Sequence, residues 1–163
     1  MNKALIGTVL SLGLAFSTVS AGEIKAETGI AVGSVKMGNK SGVEYDFVNT
    51  VQKVFDNGIL IGIGTKIGVA NMENVATDIY IMDADVKIGY EYHGLSIYGF
   101  GTILYNGSNS YDAYGYGGGT GLRYQPFNHL SINIDYTSVP SVEDVHGFTY
   151  DYSIARATIS YVY

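Results

Sequence analysis

Three histidines, a few hydroxyls and a scatter of carboxylates are the residues of this chain equipped to do chemistry. His129-x-Ser131, followed twelve residues later by Glu143, supplies a base, a hydroxyl and an acid. Such a set works only where the base reaches the hydroxyl and the acid orients the base. His93, His129 and His146 fall in two turns and one loop, a spread that does not indicate a metal site. Asp83-x-Asp85 offers a pair of carboxylates of the kind calcium takes, but Lys87 shares their strand face and internal ion pairing explains all three. The glycines of 115–121 lack the lysine and the helix that a phosphate-cradling loop needs. With no cysteine in the chain, a disulfide framework and a thiolate metal site are excluded. A net charge of −6 argues against a nucleic-acid partner, whose phosphates would need clustered Lys and Arg. No cofactor is indicated, and the expected role is not enzymatic.

The elements that must position these residues are strands. From Ala113 to Gln125, even positions carry Tyr114, Tyr116, Leu122 and Tyr124, while odd positions carry glycines, Arg123 and Gln125. After the turn Pro126-Phe127-Asn128-His129, Leu130, Ile132, Ile134 and Tyr136 alternate with Ser131, Asn133, Asp135 and Thr137. A period of two means strand, since successive side chains point to opposite faces. The small and charged face suits a narrow interior, and the aromatic and aliphatic face suits lipid. The polarity is the reverse of a soluble ligand-binding barrel such as a lipocalin, which also wants a tryptophan; this chain has none.

Residues 1–21 read as a signal peptide: a basic start at Lys3, an apolar stretch from Ala4 to Phe16, and Val19-Ser20-Ala21 as cleavage site. Residues 22–163 then form one barrel domain. Beyond the signal no apolar run approaches the roughly 20 residues of a membrane helix, so any membrane crossing must use strands, and only a closed barrel leaves no open edge in hydrocarbon. Eight segments are expected: about 28–37, 43–55, 59–70, 78–92, 95–105, 113–125, 130–137 and 148–163. Asp56-Asn57-Gly58 and His93-Gly94 are tight turns. The first strand should end at the loop Gly38–Gly42, and longer loops should occupy Asn71–Thr77, Asn106–Asp112 and Val139–Gly147. In the fifth strand a two-residue turn pairs Leu95 with Tyr92 and sends Tyr98 and Phe100 inward; a bulge at Gly94 would reverse that. The fold class is therefore all-β, an eight-stranded antiparallel up-and-down transmembrane barrel.

The inward set includes Lys66, Asp83, Asp85, Lys87, Glu91, Arg123, Asp135 and Arg156. Eight strands enclose only enough room for side chains, and unpaired buried charge costs several kcal/mol, so these residues should form a salt-bridged, plugged lumen. A narrow gated pore is the alternative. Tyr45, Tyr80, Tyr114, Tyr116 and Tyr136 gather towards the loop end, and Tyr90, Tyr92 and Tyr124 towards the turn end, as two aromatic girdles at headgroup level would.

The last strand, with Ile159, Tyr161 and a terminal Tyr163, resembles the signal by which bacterial outer-membrane barrels are recognised by their assembly machinery; the usual terminal residue is Phe. The stretch Tyr114 to Tyr124, followed by Leu130 to Tyr136, is similar to the small OmpA-like and OmpX-like barrels of the porin-family, opacity-type superfamily. That resemblance implies a Gram-negative outer-membrane location. The partners it implies are lipid and lipopolysaccharide, the assembly machinery, and a host or environmental ligand at the loops. It is weak for activity, because the family holds anchors, adhesins and proteins of no assigned role. The spacing of His129, Ser131 and Glu143 is also that of the lipid A deacylase barrels. There, however, the His-x-Ser lies at the outer end of the strand, whereas here His129 precedes the seventh strand and Glu143 follows it, about 25 Å away at 3.3 Å per residue. A lipid A-modifying barrel is thus a distant alternative.

Overall fold

A computed structural model describes residues 22–75, 78–108 and 112–163 of the chain. The expected signal peptide lies outside the described residues. Eight strands follow one another: β1 Gly22–Met37, β2 Lys40–Phe55, β3 Ile59–Met72, β4 Ile79–Tyr92, β5 Leu95–Gly107, β6 Asp112–Phe127, β7 Leu130–Asp144 and β8 Thr149–Val162. Each pairs antiparallel with its neighbours in sequence, and β8 pairs with β1 to close the barrel. Closure satisfies both edges of the sheet, so no strand is left as a template for aggregation.

The turns set the register. His93 and Gly94 both have positive φ, 50° and 78°, the backbone of a two-residue hairpin whose twist matches its strands. Leu95 therefore sits opposite Tyr92. There is no bulge at Gly94, and Tyr98 and Phe100 turn inward and are buried. Their rings need space, and β6 supplies it. A Cβ at Gly119 would run into the Phe100 ring, and one at Gly121 into the Tyr98 ring. The two prolines of the chain lie where the ladder slips: Pro126 between Tyr124 and Phe127, Pro140 between Val139 and Val142. Lacking an N–H to donate, proline is tolerated in a strand at such bulges.

The strands outrun the sequence expectation, which corrects the loops. Gly38 and Asn39 alone join β1 to β2, with Gly38 at φ 58°, where a loop to Gly42 was expected. Val139–Gly147 is not a loop. β7 continues to Asp144 and β8 begins at Thr149, so only 145–148 connect them. The connections after β3 and β5 shrink to 73–78 and 108–111. The strands, of 13 to 16 residues, extend beyond the about 10 tilted residues that would cross a hydrocarbon layer.

Where they extend, the faces exchange polarity. Along β1, Ile24, Ile30 and Val32 are exposed on the outer face, but further on the outer residues are Ser34 and Lys36 while Val35 and Met37 point in and are buried. The same exchange occurs past Val69 on β3 (Asn71 out, Met72 in) and past Tyr136 on β7 (Ser138 out, Val139 in). An apolar cluster including Val35, Ile81, Leu104, Val139, Val142 and Ile154 consequently fills the loop end of the barrel. The expectation that small and charged residues fill the interior is corrected at this end, where the same alternation turns the apolar side chains in and the polar ones out.

Candidate functional site

Below the apolar cap the interior is ionic. Arg156, on β8, is the hub of the upper part. Its Nε donates to Asp46 Oδ2 at 2.8 Å, and its Nη2 to Glu44 Oε1 at 2.6 Å, Asp83 Oδ2 at 3.0 Å and the Tyr152 hydroxyl at 3.2 Å. Tyr152 in turn donates to Glu44 Oε2 at 2.9 Å. Gly33, opposite Arg156 on β1, leaves room for the aliphatic stem, because a Cβ there would meet Arg156 Cγ. Asp135, directly across on β7, stands 3.7 Å from Nη1, an ion pair without a hydrogen bond. Lys66 faces Asp83 across β3 and β4 and reaches both Asp83, at 3.0 Å, and Asp85, at 2.5 Å. Asp83 thereby joins the two cations into one network.

A second network lies nearer the turn end. Arg123 donates from Nε to Glu27 Oε1 at 2.6 Å, from Nη1 to Glu91 Oε2 at 3.2 Å and from Nη2 to Gln125 Oε1 at 2.8 Å. Lys25 closes it through Glu91 Oε1 at 2.6 Å. Ser131 Oγ donates to Glu27 Oε2 at 2.8 Å. Multiple charge-assisted bonds of this kind are what allow guanidinium and carboxylate groups to leave water together.

Lys87 lies between the networks and behaves differently. It is buried, over the Tyr98 ring at 5.1 Å and 3.4 Å from Thr50 Oγ1. Among the described residues it makes no ion pair. Among the described residues, Asp85 Oδ1, Thr102 Oγ1, Asp135 Oδ1, Thr137 Oγ1 and Arg156 Nη1 are buried with no hydrogen-bond partner.

Of the residues singled out from sequence, Lys66, Asp83, Asp85, Glu91, Arg123, Asp135 and Arg156 all lie in ion pairs. The lumen set read from sequence lacks Lys25, Glu27, Glu44 and Asp46. Glu44 and Asp46 do alternate with Tyr45 and Phe47 and share the polar face of the second strand; Lys25 and Glu27 precede Thr28, where the first strand is expected to begin. Tyr45, Tyr80, Tyr90, Tyr92, Tyr114, Tyr116, Tyr124 and Tyr136 are all exposed on the outer wall, as are Ile159, Tyr161 and Tyr163.

The hydrolytic set does not assemble. His129 stacks on Tyr161, with its Nδ1 3.1 Å from the Val162 carbonyl. Ser131 is engaged by Glu27. Glu143 sits at the far end of β7, opposite Thr149. Asp83 and Asp85 are taken by Lys66. No group of acids and histidines among the described residues is placed to hold a metal ion.

Neither a protein-family model nor a curated protein matches the chain. Solved structures do. The crystal structure of Ail, the attachment invasion locus protein of Yersinia pestis, covers 88% of this chain and 100% of its own, with a TM-score of 0.59 and 14% identity. Neisserial surface protein A covers 87% of this chain and 99% of its own, with a TM-score of 0.57 and 12% identity. This is the fold of the small OmpA-like and OmpX-like barrels. Ail has also been crystallised with the heparin analogue sucrose octasulfate, and that structure matches with a TM-score of 0.57 and 14% identity. At such identities the likeness concerns the path of the chain, and the ion networks above belong to this sequence.

Proposed function

We propose that this protein is an integral barrel of a bacterial outer membrane with a non-enzymatic role in envelope structure or surface display, its lumen closed to solutes. The observation that carries this reading is the exchange of polarity along the strands. An exterior of Ile, Val, Leu and Tyr encloses paired ions over a belt, and beyond the belt the exterior turns polar and the interior apolar. A barrel in water would have no reason to change faces part-way along a strand. In this reading residues 1–21 direct export and are removed after Ala21, Ile159, Tyr161 and Tyr163 are read by the assembly machinery, and the two sets of tyrosines sit at headgroup level among lipid and lipopolysaccharide. The ion networks and the apolar cap block the lumen in series. Vesicle flotation and heat-modifiable migration test the membrane reading. Planar-bilayer recording tests the closed lumen, and stable ohmic openings would overturn it.

A narrow pore is the second reading, favoured by the unpartnered polar atoms of Asp85, Thr102, Asp135 and Thr137 in mid-lumen, which suit internal water. Display of the loops to a host or environmental ligand draws support from the name of Ail. The ligand class of that protein does not transfer. Here the loop end carries Glu73, Asp78, Asp112, Glu143, Asp144 and Asp151 against Lys36 and Lys40, a surface that repels polysulfated chains. A lipid A-modifying activity would show as a change in the lipid A mass spectrum on deletion of the gene; the separation of His129 from Glu143 predicts none.

A further inference from the structure

The outer wall of the barrel is not uniformly apolar. On β1, β2 and β3, Thr28, Asn49 and Thr65 occupy one rung: Thr28 is opposite Asn49, and Asn49 is opposite Thr65. Their inward neighbours are the buried Glu27, Thr50 and Lys66, so all three point outward, and each is half-buried among its neighbours. Apolar residues bracket them on the same face, Ala26 and Ile30 on β1, Phe47 and Val51 on β2, Ile63 and Ile67 on β3. The rung therefore lies inside the lipid-facing belt. On β4, β5, β7 and β8 the belt carries no such group: Val86, Ile88, Ile97, Ile103, Ile134 and Ile159 are typical of it.

Within the triad the only hydrogen bond runs from Thr28 Oγ1 to Asn49 Oδ1 at 3.0 Å. The two N–H donors of the Asn49 amide and the Thr65 hydroxyl have no hydrogen-bond partner among the described residues, and in the membrane reading this rung meets hydrocarbon. An unsatisfied amide in lipid costs several kcal/mol. Acyl chains offer no acceptor at this depth, and the ester and phosphate oxygens of lipid lie at headgroup level. Another protein surface is the remaining source. A second copy of this chain presents the matching groups: an amide oxygen with a free lone pair and a threonine hydroxyl, next to an amide with free donors. Across a two-fold axis the donors of each copy meet the acceptors of the other, the self-complementary arrangement an isologous contact requires.

We infer that the β1–β3 wall is a lateral dimer interface, two copies of the barrel pairing in the membrane through Asn49 and Thr65. The contact is lined above and below by Ile30, Phe47, Ile63 and Ile67, which pack without polar cost. It rests on the membrane reading given above.

The chain has no cysteine, so single introduced thiols report contacts without background. Ala26→Cys and Val51→Cys on the interface wall, and Ile134→Cys on the opposite wall, are to be reconstituted at high dilution in phosphatidylcholine vesicles and oxidised. The expected result is a disulfide dimer from the first two and monomer from the third. Asn49→Leu and, independently, Thr65→Val should lower the dimer fraction, with the association constant falling about tenfold for reciprocal intramembrane hydrogen bonds. Heat-modifiable migration of each variant confirms that the barrel is folded. Equal cross-linking from both walls, monomer throughout, or dimer unaffected by both Asn49→Leu and Thr65→Val would overturn the interface while leaving the membrane reading intact. Failure of the unmodified protein to float with vesicles would overturn both.

Discussion

Arg156 Nη2 lies 2.6 Å from Glu44 Oε1, and neither side chain retains any exposed surface. The pair joins β8 to β2 across the interior, 112 residues apart in sequence, on strands that are not neighbours in the sheet. It is a tie between walls rather than along them.

Removing one partner should reveal how much that tie matters. Arg156→Met leaves Glu44 and Asp46 buried without their cation and Asp83 with Lys66 alone, and is expected to cost about 3–5 kcal/mol. Urea unfolding of the reconstituted barrel, followed by gel migration, reads the change. Replacing Arg156 and Glu44 together by Met and Gln should cost less than the two single changes added, because they share one network.

The exchange of polarity predicts a depth profile. Val86→Arg places a charge in the middle of the apolar belt and should destabilise by about 2–4 kcal/mol, whereas Ser34→Arg, beyond the belt, should cost about 0–1 kcal/mol. Both residues face outward, so equal costs from the same unfolding measurement would contradict the belt.

The seat of Tyr98 on β6 makes a paired prediction. Gly121→Ala drives a methyl into the Tyr98 ring and should cost about 1–3 kcal/mol, the range for overpacking a filled interior. Tyr98→Leu should recover part of that loss in the Gly121→Ala background while destabilising the parent. A thermal melt of the four proteins closes the cycle.

In the β4–β5 hairpin, Gly94→Ala forces a side chain onto a φ of 78° and is expected to lose about 1 kcal/mol or slightly more. His93→Asn, a residue at ease with positive φ, should leave stability unchanged or raise it. Circular dichroism melts in detergent distinguish the two.

The loop-end cap should respond as a packed core. Leu104→Ala, at a side chain with no exposed surface, is expected to cost about 2–5 kcal/mol, read by the same urea titration.

Alternation made the strands legible. Ile59, Ile61, Ile63, Ile67 and Val69 against Gly62, Gly64, Lys66 and Gly68 allowed no other element, whereas His93-Gly94 left two directions open for Tyr98 and Phe100, decided by the positive φ of both turn residues. What alternation cannot tell is which face is inside once the solvent changes. Val35 and Met37 continue the same period as Glu27 and Gly33, yet one end of that face packs as oil and the other pairs as ions. The end of β7 was missed for a related reason. Pro140, Glu143 and Asp144 are turn formers by composition, and only the pairing of Val142 with Tyr150 and of Glu143 with Thr149 shows them to be strand. The partners of Arg156 are beyond any local pattern, since Glu44, Asp46 and Asp83 reach it from two other strands.

The brevity of the connections after β1, β3, β5 and β7 has a kinetic consequence. If hairpins enter the bilayer tip first from the turn side's compartment, those tips are the cargo dragged through the oily layer, and each polar backbone group they carry raises the crossing barrier. In the membrane reading, tips this small would keep that barrier low, so refolding from urea into thin-chain lipid should proceed quickly without any helper, and lengthening the 145–148 tip with glycine and serine should slow it in proportion.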